Sequence, residues 1–347
     1  MSHMNGDGYE NYVISLSDTG RIGARLQQKG VEVAAIDMRR KTLKSLFLLA
    51  SELRRYGPDI VHTWMYHSNL IGGLVARLAT RGKVIWNVRH NNIDLRYNKL
   101  TTILAIFVTV LFSRWVPDRI VFCSERSRNM HVKLGYPEKK TSIIYNGFVA
   151  SPRRGRANLT RSSLEIGERD FVIGMVARYD RLKGFPVLIK AAELFIRTWP
   201  NTRFLLAGHG VTWQNDELAG MIGERLLDKF FRLVGEVDDS SIVFGISDIV
   251  TLSSYSEAFP NVVAEGMMQA VPCVVTDVGE ASRIVGETGI VVRPDDASAL
   301  AEGWTRLIRM DRSDLKRLGQ LARDRVRQQF GITTMIEAYA RLYLAVV

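Results

Sequence analysis

Four charged side chains fall where short apolar runs give way to helical patterns: Arg178, Lys183, Glu257 and Glu265. The loop Arg178-Tyr179-Asp180-Arg181-Leu182-Lys183-Gly184 follows a β-branched run at 172–177 and precedes a helix opening at Phe185. Two fixed cations between a strand end and a helix start suit a diphosphate. Arginine can bind it bidentately, lysine as a point charge, and the helix start adds amide donors. Alone, this loop reads equally well as a solvated basic turn. The run Ser253-Ser254-Tyr255-Ser256-Glu257-Ala258-Phe259-Pro260-Asn261-Val262-Val263-Ala264-Glu265 is the stronger signal. Pro260 fits the first turn of a helix, where its missing N–H costs nothing. Amides from Asn261 to Val263 then point at any anion, with Glu257 just ahead of the helix and Glu265 one turn into it. Two carboxylates around an anion-binding helix start suit hydroxyl groups, of a sugar and of a ribose, on either side of that anion.

Two further constellations are weaker. Ala207-Gly208-His209-Gly210 ends the run at 203–207, and glycines there permit positive φ and close backbone approach. A lone Gly-x-Gly is more often a turn. His90, in Asn87-Val88-Arg89-His90-Asn91-Asn92, follows the run at 84–87 at a strand end that could face a cleft, whereas His62 reads as structural. No Asp-x-Asp follows a strand and no His/Cys cluster occurs, so a metal holding the diphosphate is not indicated. Neither a Gly-Lys-Ser/Thr phosphate loop nor a Gly-x-Ser-x-Gly elbow is present.

The elements that must position these residues follow an alternating rhythm. Strands are expected at 12–16, 31–36, 60–63, 84–87, 119–123 and 141–144, then at 172–177, 203–207, 231–234, 249–252, 273–276 and 290–292. Helices are expected at 41–55, 70–79, 100–114 and 124–134, then at 185–198, 216–227, 240–246, 261–269, 298–310 and 314–330. Strands separated by helices require crossover connections and parallel sheets covered on both faces. The fold class is therefore α/β, with two doubly wound, Rossmann-like domains over 1–150 and 151–331 facing across a cleft. A Pro/Gly/Arg-rich linker at 150–156 divides them, and a helix at 332–347 carries Met335, Ile336, Tyr339, Leu342 and Tyr343 on one face.

Charge is distributed unevenly over the 347 residues. Residues 1–150 hold 22 basic and 11 acidic side chains; residues 151–347 hold 25 of each. This argues against a uniformly basic nucleic-acid binder and for two units with different partners. Cys123 and Cys273 belong to no pair or metal-ligand cluster, which excludes a disulfide scaffold and fits a reducing cytosol. The uncharged stretch between Lys99 and Arg114 is too short to span a bilayer. It reads as a buried helix or, second, as a helix lying on a membrane surface.

The combination of Arg178, Lys183-Gly184, Glu257 with Glu265 and Phe259-Pro260-Asn261, the run 271–279 and the segment 289–294 resembles glycosyltransferase family 4 over nearly the whole chain. The resemblance implies a GT-B fold and a retaining, metal-independent transfer of a sugar from a UDP- or GDP-sugar to a glycan or polyprenyl-linked acceptor in surface polysaccharide synthesis. It implies that Arg178 and Lys183 hold the donor diphosphate, that Glu265 takes the ribose hydroxyls, and that Glu257 holds the donor sugar. Backbone amides near Phe259, Asn261 and Val262 would help, with Gly208 and Gly210 beside the donor. The loop Gly235-Glu236-Val237 would read the base, His90 would reach in from the first domain, and the final helix would cross back onto that domain.

One departure is expected to matter. The family begins with a strand, a Gly-Gly loop and a helix ahead of the equivalent of Gly8, and Gly6 and Gly8 do not replace them. That gap would leave unpaired backbone in the first sheet and weaken transfer while keeping nucleotide binding. The competing readings are a nucleotide-sugar 2-epimerase-like enzyme and a non-catalytic nucleotide-sugar-binding protein. The basic first domain, with Arg39, Arg40, Lys41, Lys44, Arg54 and Arg55 clustered together, suits an anionic membrane surface and hence a cytoplasmic, peripheral location.

Overall fold

The structure, a computed structural model, describes residues 8–38, 42–94, 99–149 and 159–347. The predicted linker at 150–156, the cations Arg39, Arg40 and Lys41, and Gly6 lie outside these residues.

In chain order the first unit contains β1 (Tyr12–Ser15), α1 (Gly20–Gln27), β2 (Glu32–Ala35), α2 (Thr42–Tyr56), β3 (Ile60–Trp64), α3 (Tyr66–Ala79), β4 (Lys83–Val88), α4 (Leu100–Phe112), β5 (Arg119–Phe122), α5 (Glu125–Leu134) and β6 (Thr141–Ile143). The second contains β7 (Phe171–Val176), α6 (Phe185–Ile196), β8 (Thr202–Ala207), α7 (Asp216–Gly223), β9 (Phe231–Leu233), α8 (Ser241–Ile246), β10 (Ile249–Leu252), α9 (Asn261–Met268), β11 (Cys273–Thr276), α10 (Ala281–Val285), β12 (Ile290–Val292), α11 (Ala297–Ile308) and α12 (Arg312–Phe330). Helix α13 (Ile332–Leu344) ends the chain.

Each expected strand forms; the buried ones, such as β4, β5, β10 and β11, read as near-continuous apolar runs, whereas β1, β2 and β6 are only partly buried. Helices α1 and α10 were not expected. The first is a short, polar stretch with two glycines, Gly20 and Gly23, that read as turn residues, and the second has only five residues.

The second unit has one parallel sheet in the order β12-β11-β10-β7-β8-β9. The chain runs outward from β7 through β8 to β9, then returns to β10 on the other side of β7. The direction of winding thus reverses between β7 and β10, where open α/β sheets bind ligands. The fully buried Ile173, Leu188, Phe204 and Trp304 form the core, and the Trp304 indole donates to Thr251 Oγ1 at 3.1 Å.

The first unit departs from a single continuous sheet. Its strands divide into a four-stranded parallel sheet β3-β4-β5-β6 and a separate parallel pair β1-β2. Ile14 and Ile36 nevertheless pack into the same apolar cluster as Trp86, Ile120 and Phe122, so side chains tie the pair to the unit without backbone pairing.

The two units meet through the carboxyl ends of their strands. Arg126, after β5, binds the Asp277 carboxylate after β11 at 2.7 Å. Asn146, after β6, donates to Asn261 Oδ1 at 2.6 Å. The buried Glu280 carboxylate accepts the Glu125 amide at 2.6 Å and is paired with Arg283. Helix α13 packs Tyr339 and Leu342 against Ile85 and Val121 of the first unit, and Asn87 donates to the Tyr339 hydroxyl at 2.8 Å. His62 Nδ1 lies 2.8 Å from the Tyr343 hydroxyl, so His62 serves packing.

Two histidines sit neutral in this framework. His131 Nδ1 donates to the Ser127 carbonyl at 2.8 Å, leaving Nε2 to accept from the Tyr66 hydroxyl at 2.7 Å. Burial pushes His131 down to about 4, and burial together with Arg89 pushes His62 down to about 3. The unfolded chain therefore takes up these protons first, and stability present above pH 6.5 is lost as pH falls toward 4. Urea melts should show His131→Gln reducing the loss of unfolding free energy between pH 7 and 4.5 by about 2 kcal/mol. Parallel pH profiles for variant and parent would contradict this.

Candidate active site

Loops after β7 and β10 are neighbours because those strands are neighbours, paired at Ile249↔Ile173 and Val250↔Gly174. This brings Lys183 and Glu257 together across 74 residues of sequence: Lys183 Nζ donates to Glu257 Oε1 at 2.6 Å. Both are largely enclosed, the lysine 21% and the glutamate 14% exposed. Ser254 Oγ donates to the same carboxylate oxygen at 2.8 Å. Ser253 Oγ donates to the Lys183 carbonyl at 2.8 Å, and the Tyr255 amide donates to the Leu182 carbonyl at 2.8 Å. The two loops are thus pinned together by backbone as well as charge.

That pinning needs glycine at one point. Gly184 has φ +67°, and a Cβ on it would run into the Ser253 carbonyl oxygen. It ends a short 3₁₀ turn whose start is capped by Asp180, which accepts the Leu182 amide at 2.9 Å. Arg178 lies apart from the Lys183–Glu257 pair. Its guanidinium is 66% exposed and pairs with Asp180 at 3.2 Å. The structure therefore brings one of the two predicted cations into the cluster and leaves the other at its rim.

Helix α9 starts beside Glu257. Pro260 stands immediately before it, in the cap position, and the first helical residues are Asn261 and Val262. Their amides have no carbonyl one turn earlier to accept them, so the helix start presents free donors beside Glu257. The Phe259 side chain is buried, 6.0 Å from Phe148 in a stacked arrangement, so only its backbone is available to a ligand. Glu265 lies inward on α9, accepting from Ser240 Oγ at 2.8 Å. Burial pushes its carboxyl above the ordinary carboxylate range, against the lowering effect of that hydrogen bond.

The glycine loops close one side. Gly208 has φ +145°, and a Cβ there would strike the Ala177 carbonyl. Its amide donates to the Gly235 carbonyl at 2.7 Å, joining the loops after β8 and β9. The Gly210 carbonyl accepts from Asn215 Nδ2 at 2.8 Å. Glu236 is turned to solvent, with its carboxylate 3.6 Å from His209, while Val237 packs into a small cluster with Leu205 and Val243.

From the first unit, His90 is partly buried, 3.4 Å through Nδ1 from the Tyr66 hydroxyl, with its carbonyl accepting Ser127 Oγ. The next residue makes the contact across the cleft: Asn91 Nδ2 donates to the Glu257 carbonyl at 2.9 Å. Asn91 and Ser254 lie inside the 87–92 and 253–265 runs, where only their neighbours' charges mark the chemistry. Asn146, which reaches the α9 start through Asn261, carries no signal in sequence. Among the described residues no group of three or more His, Cys, Asp or Glu side chains could hold a metal ion.

Two Rossmann-like units facing through their strand carboxyl ends define the class of two-domain α/β enzymes with an interdomain site. Known proteins place the chain within it. The model described as Glycosyltransferase Family 4 matches residues 1–151, and that described as Glycosyl transferases group 1 matches 170–310. The chain is a GT-B-fold glycosyltransferase related to these two families. Among curated proteins it is 23% identical over 315 residues to the Escherichia coli UDP-Gal:alpha-D-GlcNAc-diphosphoundecaprenol alpha-1,3-galactosyltransferase, covering 88% of this chain and 80% of that one. It is 25% identical over 342 residues to the Staphylococcus aureus capsular polysaccharide biosynthesis glycosyltransferase CapM, covering 92% and 87%. The Anabaena HepE structure with UDP and glucose superposes with a TM-score of 0.84 at 20% identity, covering 96% of this chain and 91% of that chain.

Because Gly184 is both left-handed and pressed on a carbonyl, Gly184→Ala should cost about 2–4 kcal/mol in urea unfolding. Gly220, whose added Cβ meets nothing within 4 Å, serves as control: Gly220→Ala should leave stability unchanged or slightly raised. Equal effects at both positions would contradict the close approach.

Proposed function

We propose that the protein is a retaining glycosyltransferase that moves a sugar from a UDP- or GDP-sugar to a glycan or polyprenyl-linked acceptor. The observation that carries this reading is the enclosed Lys183–Glu257 pair at the winding reversal, beside the start of α9. A buried ammonium–carboxylate pair costs desolvation that its attraction only partly offsets. A donor carrying both a diphosphate and a sugar offers each member a better partner. In this reading the diphosphate lies over the amides of Asn261 and Val262, with Lys183 and, from the rim, Arg178 neutralising it. Glu257 then accepts from sugar hydroxyls.

Further along α9, Glu265 accepts from the ribose hydroxyls, and the Gly208–Gly210 and Gly235–Val237 loops flank the nucleoside. His90 and Asn91 close on the sugar from the first unit. As the bond from the anomeric carbon to the diphosphate oxygen breaks, charge grows on that oxygen, where Lys183, Arg178 and the helix start stabilise it. The acceptor oxygen forms the new bond to the anomeric carbon and its proton passes to the departing phosphate. No second carboxylate base is required.

The donor and acceptor in the E. coli relative's name, and the UDP and glucose bound in the HepE structure, support this donor and acceptor class. A cytoplasmic location, peripheral on the membrane that holds a polyprenyl-linked acceptor, belongs to the same proposal. No helix among the described residues is long and apolar enough to cross a membrane.

Thermal shifts with UDP and GDP test nucleotide binding, with stabilisation expected from one of them at millimolar concentration. No stabilisation by either contradicts the reading. Glu265→Gln should lower affinity for that nucleotide roughly tenfold, the scale of one lost charge-assisted hydrogen bond. It should leave the melting temperature at pH 7 unchanged or raised. A carboxyl whose folded-state pKa is raised costs stability as pH climbs through that range, and glutamine removes the cost. Lys183→Ala should lower turnover with the nucleotide-sugar by about 10²-fold or more.

A further inference from the structure

Helix α4 is apolar on two faces. Ile103, Ala105, Ile106 and Thr109 are buried in the first unit. On the other side Leu100, Leu104, Phe107, Leu111 and, just past the helix end, Trp115 are 73%, 62%, 53%, 65% and 71% exposed. Steps of three and four residues put them in one line along the helix. At 1.5 Å per residue the line is about 22 Å long. Large apolar side chains exposed singly are ordinary, but a contiguous row marks a docking face.

Charge identifies the occupant. Lys99 and Arg114, both exposed, stand at the two ends of the row. From Leu95 through Pro117 the sequence holds no Asp or Glu. The next carboxylate, Asp118, is taken by Arg77 at 2.8 Å and by the Val84 amide. We propose that this face of α4 docks on the surface of an anionic lipid bilayer, with the five apolar side chains entering the acyl boundary and Lys99 and Arg114 meeting headgroup phosphates. Thirteen residues, about 20 Å of helix, fall short of the ~30 Å hydrocarbon core, so α4 lies along the surface. A second copy of the chain is the poorer occupant, because two such faces would oppose cation to cation with no carboxylate between them.

The orientation links this face to the site. Helix α4 follows β4, whose carboxyl end faces the second unit, so the Leu100 end of the row lies toward the cleft. A docked molecule would open its cleft near the bilayer. That consequence rests on the proposed polyprenyl-linked acceptor; the docking does not.

Co-sedimentation at low salt with phosphatidylcholine vesicles, alone or containing about 30 mol% phosphatidylglycerol, tests the docking. The protein should partition into the anionic vesicles at least roughly tenfold more strongly, and Phe107→Asp/Leu111→Asp should lose roughly tenfold or more of that binding. Unchanged thermal melting and unchanged stabilisation by nucleotide show that the double variant folds. Comparing the parent with Trp115→Phe, brominated lipid should quench less tryptophan emission in the variant. Undiminished binding by the double variant, absence of binding by the parent, or a parent dimer that the double substitution dissociates in sedimentation equilibrium would each overturn the proposal. Failure of the transferase reading shows separately, as no transfer to a soluble acceptor by a protein that still binds vesicles.

Discussion

The pairing of β7 with β10 is the constraint on which the site depends. Parallel strands joined by crossovers deliver all their following loops to one edge, but only neighbouring strands deliver loops that touch. Here the chain winds outward from β7, returns, and lays β10 against it. Lys183 and Glu257 meet as a direct result. The Ser253 and Tyr255 bonds to the Lys183 and Leu182 carbonyls lock the junction, and Gly184 permits it because any side chain there would collide. Helix α9 leaves from the same loop, so its amide-bearing start is fixed relative to both charges.

The second unit is held as a platform, and the first is brought to it by polar contacts and by an apolar seam in which Tyr145 and Phe148 pack against Phe259 and Phe330. Asn91 to the Glu257 carbonyl, Asn146 to Asn261 and Arg126 to Asp277 are single hydrogen bonds or an exposed ion pair. Exposed pairs of this kind contribute about 0–1 kcal/mol each. The buried Glu280, with the Glu125 amide and Arg283, is the more demanding contact. Helix α13 adds a covalent and apolar tether, since it leaves α12 on the second unit and packs Tyr339 on the first. The apolar seam and the α13 strap hold the two units together beside these polar contacts.

Much of this was legible in the sequence, for a physical reason. Strands at 249–252, 273–276 and 290–292 agree residue for residue, because each is a short run of mostly β-branched and apolar residues bounded by turns. The Glu257 and Glu265 motif sits where its strand-to-helix grammar placed it. What sequence could not supply was pairing between distant segments. The division of the first unit into β1-β2 and β3-β4-β5-β6 depends on which strand edges meet, and no local pattern encodes that. Asn146 reaches Asn261 from 115 positions away. The turn of Arg178 toward Asp180 was visible two residues along, yet both groups also fit a phosphate loop, and only geometry separates the two. For the stretch at 100–114, a buried helix and a surface-exposed apolar one were alternatives; the helix has one face of each kind.

Under the proposed function, Lys183 and Glu257 are held together only until the donor binds, one then taken by its diphosphate and the other by its sugar. A crystal structure with an intact, non-hydrolysable UDP- or GDP-sugar tests it most directly. The expected structure has the diphosphate over the start of α9, with Lys183 Nζ moved from Glu257 to a phosphate oxygen and the Glu257 carboxylate against sugar hydroxyls. A bound nucleotide-sugar lying elsewhere, with the Lys183–Glu257 pair intact, would contradict it.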